Sequence, residues 1–233
     1  METRDFYDWA SGVLYSITEE LNDSYYKELK GTLTLQFDTT NVVNAQAIVY
    51  SAIKEPPKHA ISISYKLMKT LYDDAVNFVS YVYSGKDDEV FKFWNAEKNG
   101  FSELKEEWDK SECAKNIFLA GLTWVYFHEL GHLTQGHSLI RERYGSSMNI
   151  ISELHSNEIS FKDNNASAIW HVTEIAADYF STCMCVAEIT RQLKKRENYA
   201  VHIIFLTCGI SLMLHRFQGV LRRNPRKFRH STL

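Results

Sequence analysis

Residues 124–137 read Trp-Val-Tyr-Phe-His-Glu-Leu-Gly-His-Leu-Thr-Gln-Gly-His. His128 and His132 stand four apart, so on a helix both imidazoles leave one face and can share a metal ion. Imidazole nitrogen suits zinc, and a catalytic zinc keeps one position open for water. Glu129 follows the first histidine, about a quarter-turn round the helix. That direction suits a carboxylate that takes a proton from the water without occupying the metal. Zinc brings the pKa of such a water down to about 7, so the pattern predicts Zn2+ as cofactor and hydrolysis as the chemistry.

Two histidines do not hold catalytic zinc, and a third protein ligand must come from elsewhere. In His-Val-Thr-Glu-Ile-Ala-Ala-Asp-Tyr-Phe (171–180), His171, Glu174 and Asp178 share one helix face. Ala176 and Ala177 are small enough for that helix to pack tightly on the first, as Gly131 is on the other side. Glu174 is therefore the expected third ligand. Asp178, one turn on, can accept from the free ring N–H of a ligating histidine and fix its tautomer. The competing reading is a solvated acidic stripe, which the surrounding Trp170, Ile175, Tyr179 and Phe180 disfavour. His137 is the rival third ligand, reaching the metal only if Gly136 breaks the helix; otherwise it is a helix-terminal histidine that shapes the cleft. Glu153, His155 and Glu158 are weaker substitutes, since they fall in an irregular connection. The oxyanion formed in hydrolysis needs a further donor, for which His171, Tyr144, Tyr179 and His137 are candidates, His171 first.

The pair of motifs, His128-Glu129-Leu130-Gly131-His132 and Glu174-Ile-Ala-Ala-Asp178, resembles that of the gluzincin metallopeptidases. With Gly136-His137 after the second histidine, it looks like the small intracellular members, the ImmA/IrrE-type regulatory proteases and the phage-exclusion protease type of Lit. ImmA-type chains usually carry Asn at the place of Asp178, which favours the second group. The resemblance covers about residues 115–185. It implies that His128, His132 and Glu174 bind zinc, that Glu129 is the general base, and that Asp178 supports a ligand from outside. It also implies a protein or peptide substrate, an endopeptidase activity and a regulatory or phage-defence role. The rivals are a catalytically silent recognition module of protease fold, and a zinc hydrolase of another amide.

The rest of the chain must position this site. Its 233 residues, 45% hydrophobic and 24% charged, fit one soluble domain spanning 1–233. A net charge of -3 argues against nucleic-acid binding. The first residues carry no secretory pattern, and Cys113, Cys183, Cys185 and Cys208 form no CxxC pair, so a reducing, cytoplasmic setting is expected. Spacing predicts a helix over 5–29, ended by Lys30-Gly31, then strands at 32–37, 45–53 and 59–64 and a helix over 65–83. Two short helices are expected in 86–112, before a long buried metal-bearing helix announced by the apolar run Ile117 to Phe127. An irregular connection over 138–167 and helices over 168–196 and 200–221 complete the chain. The apolar run Tyr199 to Leu214 falls short of the ~20 residues of a membrane span and reads as a core helix. The basic residues from Arg222 to Arg229 read as a solvated end. The fold expected is α+β, a mostly helical zincin-like domain with a small N-terminal sheet of about three strands packed on the metal-bearing helix.

Overall fold

A computed structural model describes residues 3–84, 109–144, 150–152, 164–193 and 199–222. The fold is α+β: mostly helical, with a small mixed sheet near the N-terminus. The elements are α1 (Thr3–Leu21), β1 (Thr32–Asp38), β2 (Ala45–Val49), β3 (Lys58–Ser64), α2 (Tyr65–Val82), α3 (Lys110–Thr134), α4 (His137–Arg143), β4 (Ile150–Ser152), α5 (Asn164–Gln192) and α6 (Tyr199–Arg222). Their contacts group into two compact units, one of residues 1–70 and 123–187, the other of residues 71–122 and 188–233. The two short helices expected in 86–112 lie outside the described residues, apart from the first turn of α3.

In the first unit the strand order is β1-β3-β2-β4, with β1 parallel to β3 and the other two pairings antiparallel. The alternation of β1 is met: Leu33 and Leu35 are buried while Thr32, Thr34 and Gln36 face out. β3 is central and buried from Ala60 to Ser64. β2 ends at Val49, earlier than the expected 53, and β4 is a fourth strand inside the connection expected to be irregular. The N-terminal helix does not run straight to 29. A π-turn at Asn22–Tyr26 interrupts it, and the Asn22 amide there clamps the edge strand β1. It donates to the Leu33 carbonyl and accepts from the Leu33 N–H, both at 2.8 Å, which satisfies two backbone groups at an open sheet edge. Lys30, at φ 54, and Gly31 then turn the chain. A Cβ at Gly31 would lie 2.5 Å from the Pro57 carbonyl, so the turn requires glycine.

Within this unit α3 is buried almost all round from Trp124 to Leu133. A helix apolar on every side has no solvent face to lose, and each side must find a neighbour. On one side the Tyr126 hydroxyl meets Thr18 Oγ1 of α1 at 2.8 Å, and that threonine also donates to the Leu14 carbonyl.

The second unit is helical. Tyr72 meets Phe118 edge to face, and α3 and α6 touch at two glycines. A Cβ at Gly209 would lie 2.7 Å from Gly121 N and 2.8 Å from the Ile117 carbonyl. Arg216 grips Asp74 through both Nε and Nη2. α6 continues to Arg222, further than the apolar run alone implies. By length and composition its segment Tyr199–Arg216 could cross a membrane, with mean hydropathy 1.3 and 28% of the window buried. Its Val201, Phe205, Leu206 and Met213 are buried, while Thr207, Ser211, Leu214 and His215 are exposed.

Burial pushes the Tyr126 hydroxyl up to about 12, against an ordinary value of 10.0, with the Thr18 hydrogen bond opposing. Above pH 10 the unfolded chain therefore releases a proton that the folded chain retains, so stability is full below that pH and declines until about 12. The Tyr126→Phe variant should lose about 1 kcal/mol at neutral pH. It should also decline less between pH 10 and 12, as read from urea titrations across that range. Tyr26 and the thiols of Cys113 and Cys208, raised in the same direction by burial, contribute to the decline that remains.

Candidate metal centre

α3 and α5 run antiparallel in the first unit. At one end Ser181 Oγ donates to the Trp124 carbonyl at 2.5 Å, and Trp124 Nε1 donates to Thr182 Oγ1 at 3.1 Å. Further along α3, Gly131 faces Ala177 and Phe180. A Cβ at 131 would sit 3.3 Å from Ala177 Cα and 3.1 Å from Phe180 Cδ1. Small residues at the contact let the backbones approach and carry the polar side chains of the two helices into one place.

His128 and His132 present their Nε2 atoms 2.9 Å apart. Glu174 Oε2 lies 3.3 Å from the first and 3.7 Å from the second. A tetrahedral zinc with bonds of 2.0–2.1 Å separates its ligand atoms by about 3.3 Å. The three observed distances bracket that value, and the trio could hold a metal ion. The imidazoles are buried; Glu174 is half-buried.

The outer hydrogen bonds are consistent with one set of tautomers for the neutral imidazoles. Asp178 Oδ1 accepts from His128 Nδ1 at 2.8 Å, so His128 Nε2 keeps a lone pair. Gln135 Oε1 accepts from His137 Nε2 at 3.0 Å. His137 Nδ1 is then the acceptor for His132 Nδ1 at 2.8 Å, which leaves His132 Nε2 bare as well. Two lone pairs and a carboxylate oxygen thus face one another, and only a cation or a proton between them makes the arrangement tolerable. Burial is the main cause that pushes the His132 imidazole below its ordinary value. Burial, then the neighbouring His132 and Arg141, takes His137 down to about 3. Both stay neutral at physiological pH, as metal binding requires. Burial alone would raise the Glu174 carboxyl, but a proton on the facing His128 and His132 nitrogens, hydrogen-bonded to it where a cation would otherwise lie, outweighs burial and holds it well below the usual carboxylate range.

The other residues singled out from the sequence are placed as follows. Glu129 is fully buried on α3 beside His128. α3 does end before His137: Gly136 adopts φ 65 and α4 begins at His137, whose ring meets His132 on the side away from Glu174. His171, Tyr144 and Tyr179 are exposed. Glu153, His155 and Glu158 lie outside the described residues. One residue was not anticipated. Arg141, four after His137 on α4, is 2% exposed and donates from Nη2 to Glu174 Oε1 at 2.5 Å. In Leu-Ile-Arg-Glu-Arg nothing but position distinguishes it from the exposed Arg143.

A family model described as Peptidase U49 matches residues 42–223. Among curated proteins and among solved structures, nothing matches.

A branched side chain at 131 must push α5 away from the histidines. The Gly131→Val variant should lose about 1–3 kcal/mol of stability. Added zinc should raise its melting temperature less than that of the wild type, since a spread trio binds the ion less tightly. Thermal melts with and without zinc check both.

Proposed function

The chain belongs to the Peptidase U49 family, and from that premise we propose that it is a zinc-dependent intracellular endopeptidase with its centre at His128, His132 and Glu174. The observation that carries this reading is the convergence of two bare imidazole nitrogens and a carboxylate oxygen beside the buried Glu129. Membership of the family makes it a peptidase, so its substrates are proteins or peptides. Two nitrogens and one oxygen suit zinc, and three protein ligands leave a position open, as catalytic zinc sites do.

A divalent ion held by the trio supplies a Lewis acid for the scissile carbonyl and an acidified water. The chain's own groups do the rest. Glu129 takes a proton from the attacking water and passes it to the leaving nitrogen as the C–N bond breaks, acting first as base and then as acid. Asp178 and His137 hold the two ligand imidazoles in the tautomers that leave Nε2 bare. His171, exposed one turn before Glu174, is the proposed donor to the oxyanion. The four cysteines are all free thiols, which supports a reducing, cytoplasmic setting. We read the whole chain as one peptidase domain, and the gluzincin likeness and a phage-exclusion role rest on the paired motifs.

The Glu129→Gln variant separates binding from chemistry. It should keep the wild-type zinc content, measured on the purified protein, and lose about 100-fold or more of peptide cleavage. Cleavage at the wild-type rate would remove Glu129 from the mechanism. Zinc retained by both proteins with no turnover, on a denatured peptide library and on cell extract alike, would favour a recognition module of protease fold.

A further inference from the structure

Arg141 is among the largest fully buried side chains of the described residues, and a buried cation is tolerated only where charge and hydrogen bonds compensate it. Its guanidinium is fixed in three directions. Nη2 donates to Glu174 Oε1 at 2.5 Å, and Nε donates to Thr173 Oγ1 at 2.7 Å. Its flat face lies on the Trp170 ring, with Cζ 3.7 Å from the centroid. Thr173 is itself tied down, its hydroxyl donating to the Trp170 carbonyl at 2.8 Å. All three partners come from one stretch of α5, so this grip also sets the rotation of the turn that bears Glu174.

The consequence falls on Glu174, which has two oxygens. Oε1 is taken by the guanidinium; Oε2 alone faces the imidazole nitrogens. We propose that Arg141 is a positioning residue that makes Glu174 a one-oxygen ligand. This rests on the reading that His128, His132 and Glu174 hold a divalent ion. A carboxylate free to rotate could present both oxygens and fill a position that water or a carbonyl needs. With Oε1 held away, that position stays available. Arg141 also offsets the charge of Glu174, so the ion faces two neutral imidazoles and a carboxylate already paired with a cation, and it remains more electrophilic. Arginine suits the task better than lysine, because its planar fork reaches Glu174 and Thr173 at once while stacking on Trp170.

The test reads the Glu174 carboxylate directly. Infrared difference spectra are recorded on adding zinc to the metal-free chain, with the Glu174 bands identified by their absence in Glu174→Gln. One-oxygen coordination gives a wide separation of the antisymmetric and symmetric carboxylate stretches; two-oxygen coordination gives a narrow one. The wild type should show the wide separation. Arg141→Met should show the narrow one, and Arg141→Lys, which can still hold Oε1, should keep the wide one. A narrow separation in the wild type, or an unchanged wide one in folded Arg141→Met, would overturn the proposal. Should Arg141→Met fail to fold by circular dichroism, Arg141→Ala is read in its place, with a narrow separation expected and an unchanged wide one overturning the proposal. A wild type that takes up no zinc would instead sink the metal-dependent reading itself, which keeps the two failures apart.

Discussion

Two imidazole lone pairs and a carboxylate oxygen pointing at one another inside a buried seam would repel unless positive charge sits among them. That repulsion is the constraint on which the first unit depends. His128 and His132 can face Glu174 only because Gly131 and Ala177 let α3 and α5 come together there. Backbone approach and ligand convergence are one event. A bulkier contact would relieve the crowding and remove the site with it. The apolar bulk elsewhere on α3, from Leu122 to Leu133, offsets the cost of assembling so much polarity in one place.

Each of the three converging side chains is also held from behind. Asp178 holds His128, His137 holds His132, and Arg141 holds Glu174. Side chains fixed through their outer atoms keep their geometry in advance, so less order would have to be imposed on binding an ion. Two of the three holders come from α4, a helix of seven residues. His137 and Arg141 are four apart there, repeating on a third helix the spacing of His128 with His132 and of Glu174 with Asp178. Gly136 makes this possible. Its φ of 65 stops α3 and redirects the chain, a conformation that costs glycine little and other residues more. Thus the turn directly after α3 returns two side chains to the cluster that the helix itself has built.

What the sequence made legible follows from periodicity. Four-residue spacing was enough to put His128 with His132 on one helix face and Glu174 with Asp178 on another, because the i, i+4 relation survives any detail of loop geometry; that the two faces meet depends on the small contact at Gly131 and Ala177. The strict alternation of Thr32 to Phe37 likewise marked β1. The features that stayed hidden depend on distant partners. The π-turn at Asn22–Tyr26 is set by the clamp on Leu33, and no local pattern announces it. β4 is three residues long and exists by pairing with β2. α4 is too short to show a period, so Arg141 read as one more charge near Arg143. A buried arginine is visible only once its carboxylate, its hydroxyl and its aromatic ring have been brought round it.

The family match spans 42–223 and so contains every side chain of the centre together with the three that hold them from behind. α1, the π-turn and β1 lie before it. Yet α1 supports α3 through Thr18 and Tyr126, two residues before His128. Two residues on a helix turn through about 200°, so Tyr126 leaves α3 nearly opposite His128. In the first unit α3 is therefore gripped on two faces, by α1 behind and by α5 in front. Changes on the first face alter how firmly the helix is seated while the ligand atoms keep their relation to one another. Changes on the second alter that relation itself. Stability and the geometry of the His128, His132 and Glu174 cluster are for this reason separable properties of the same helix, governed from opposite sides of it.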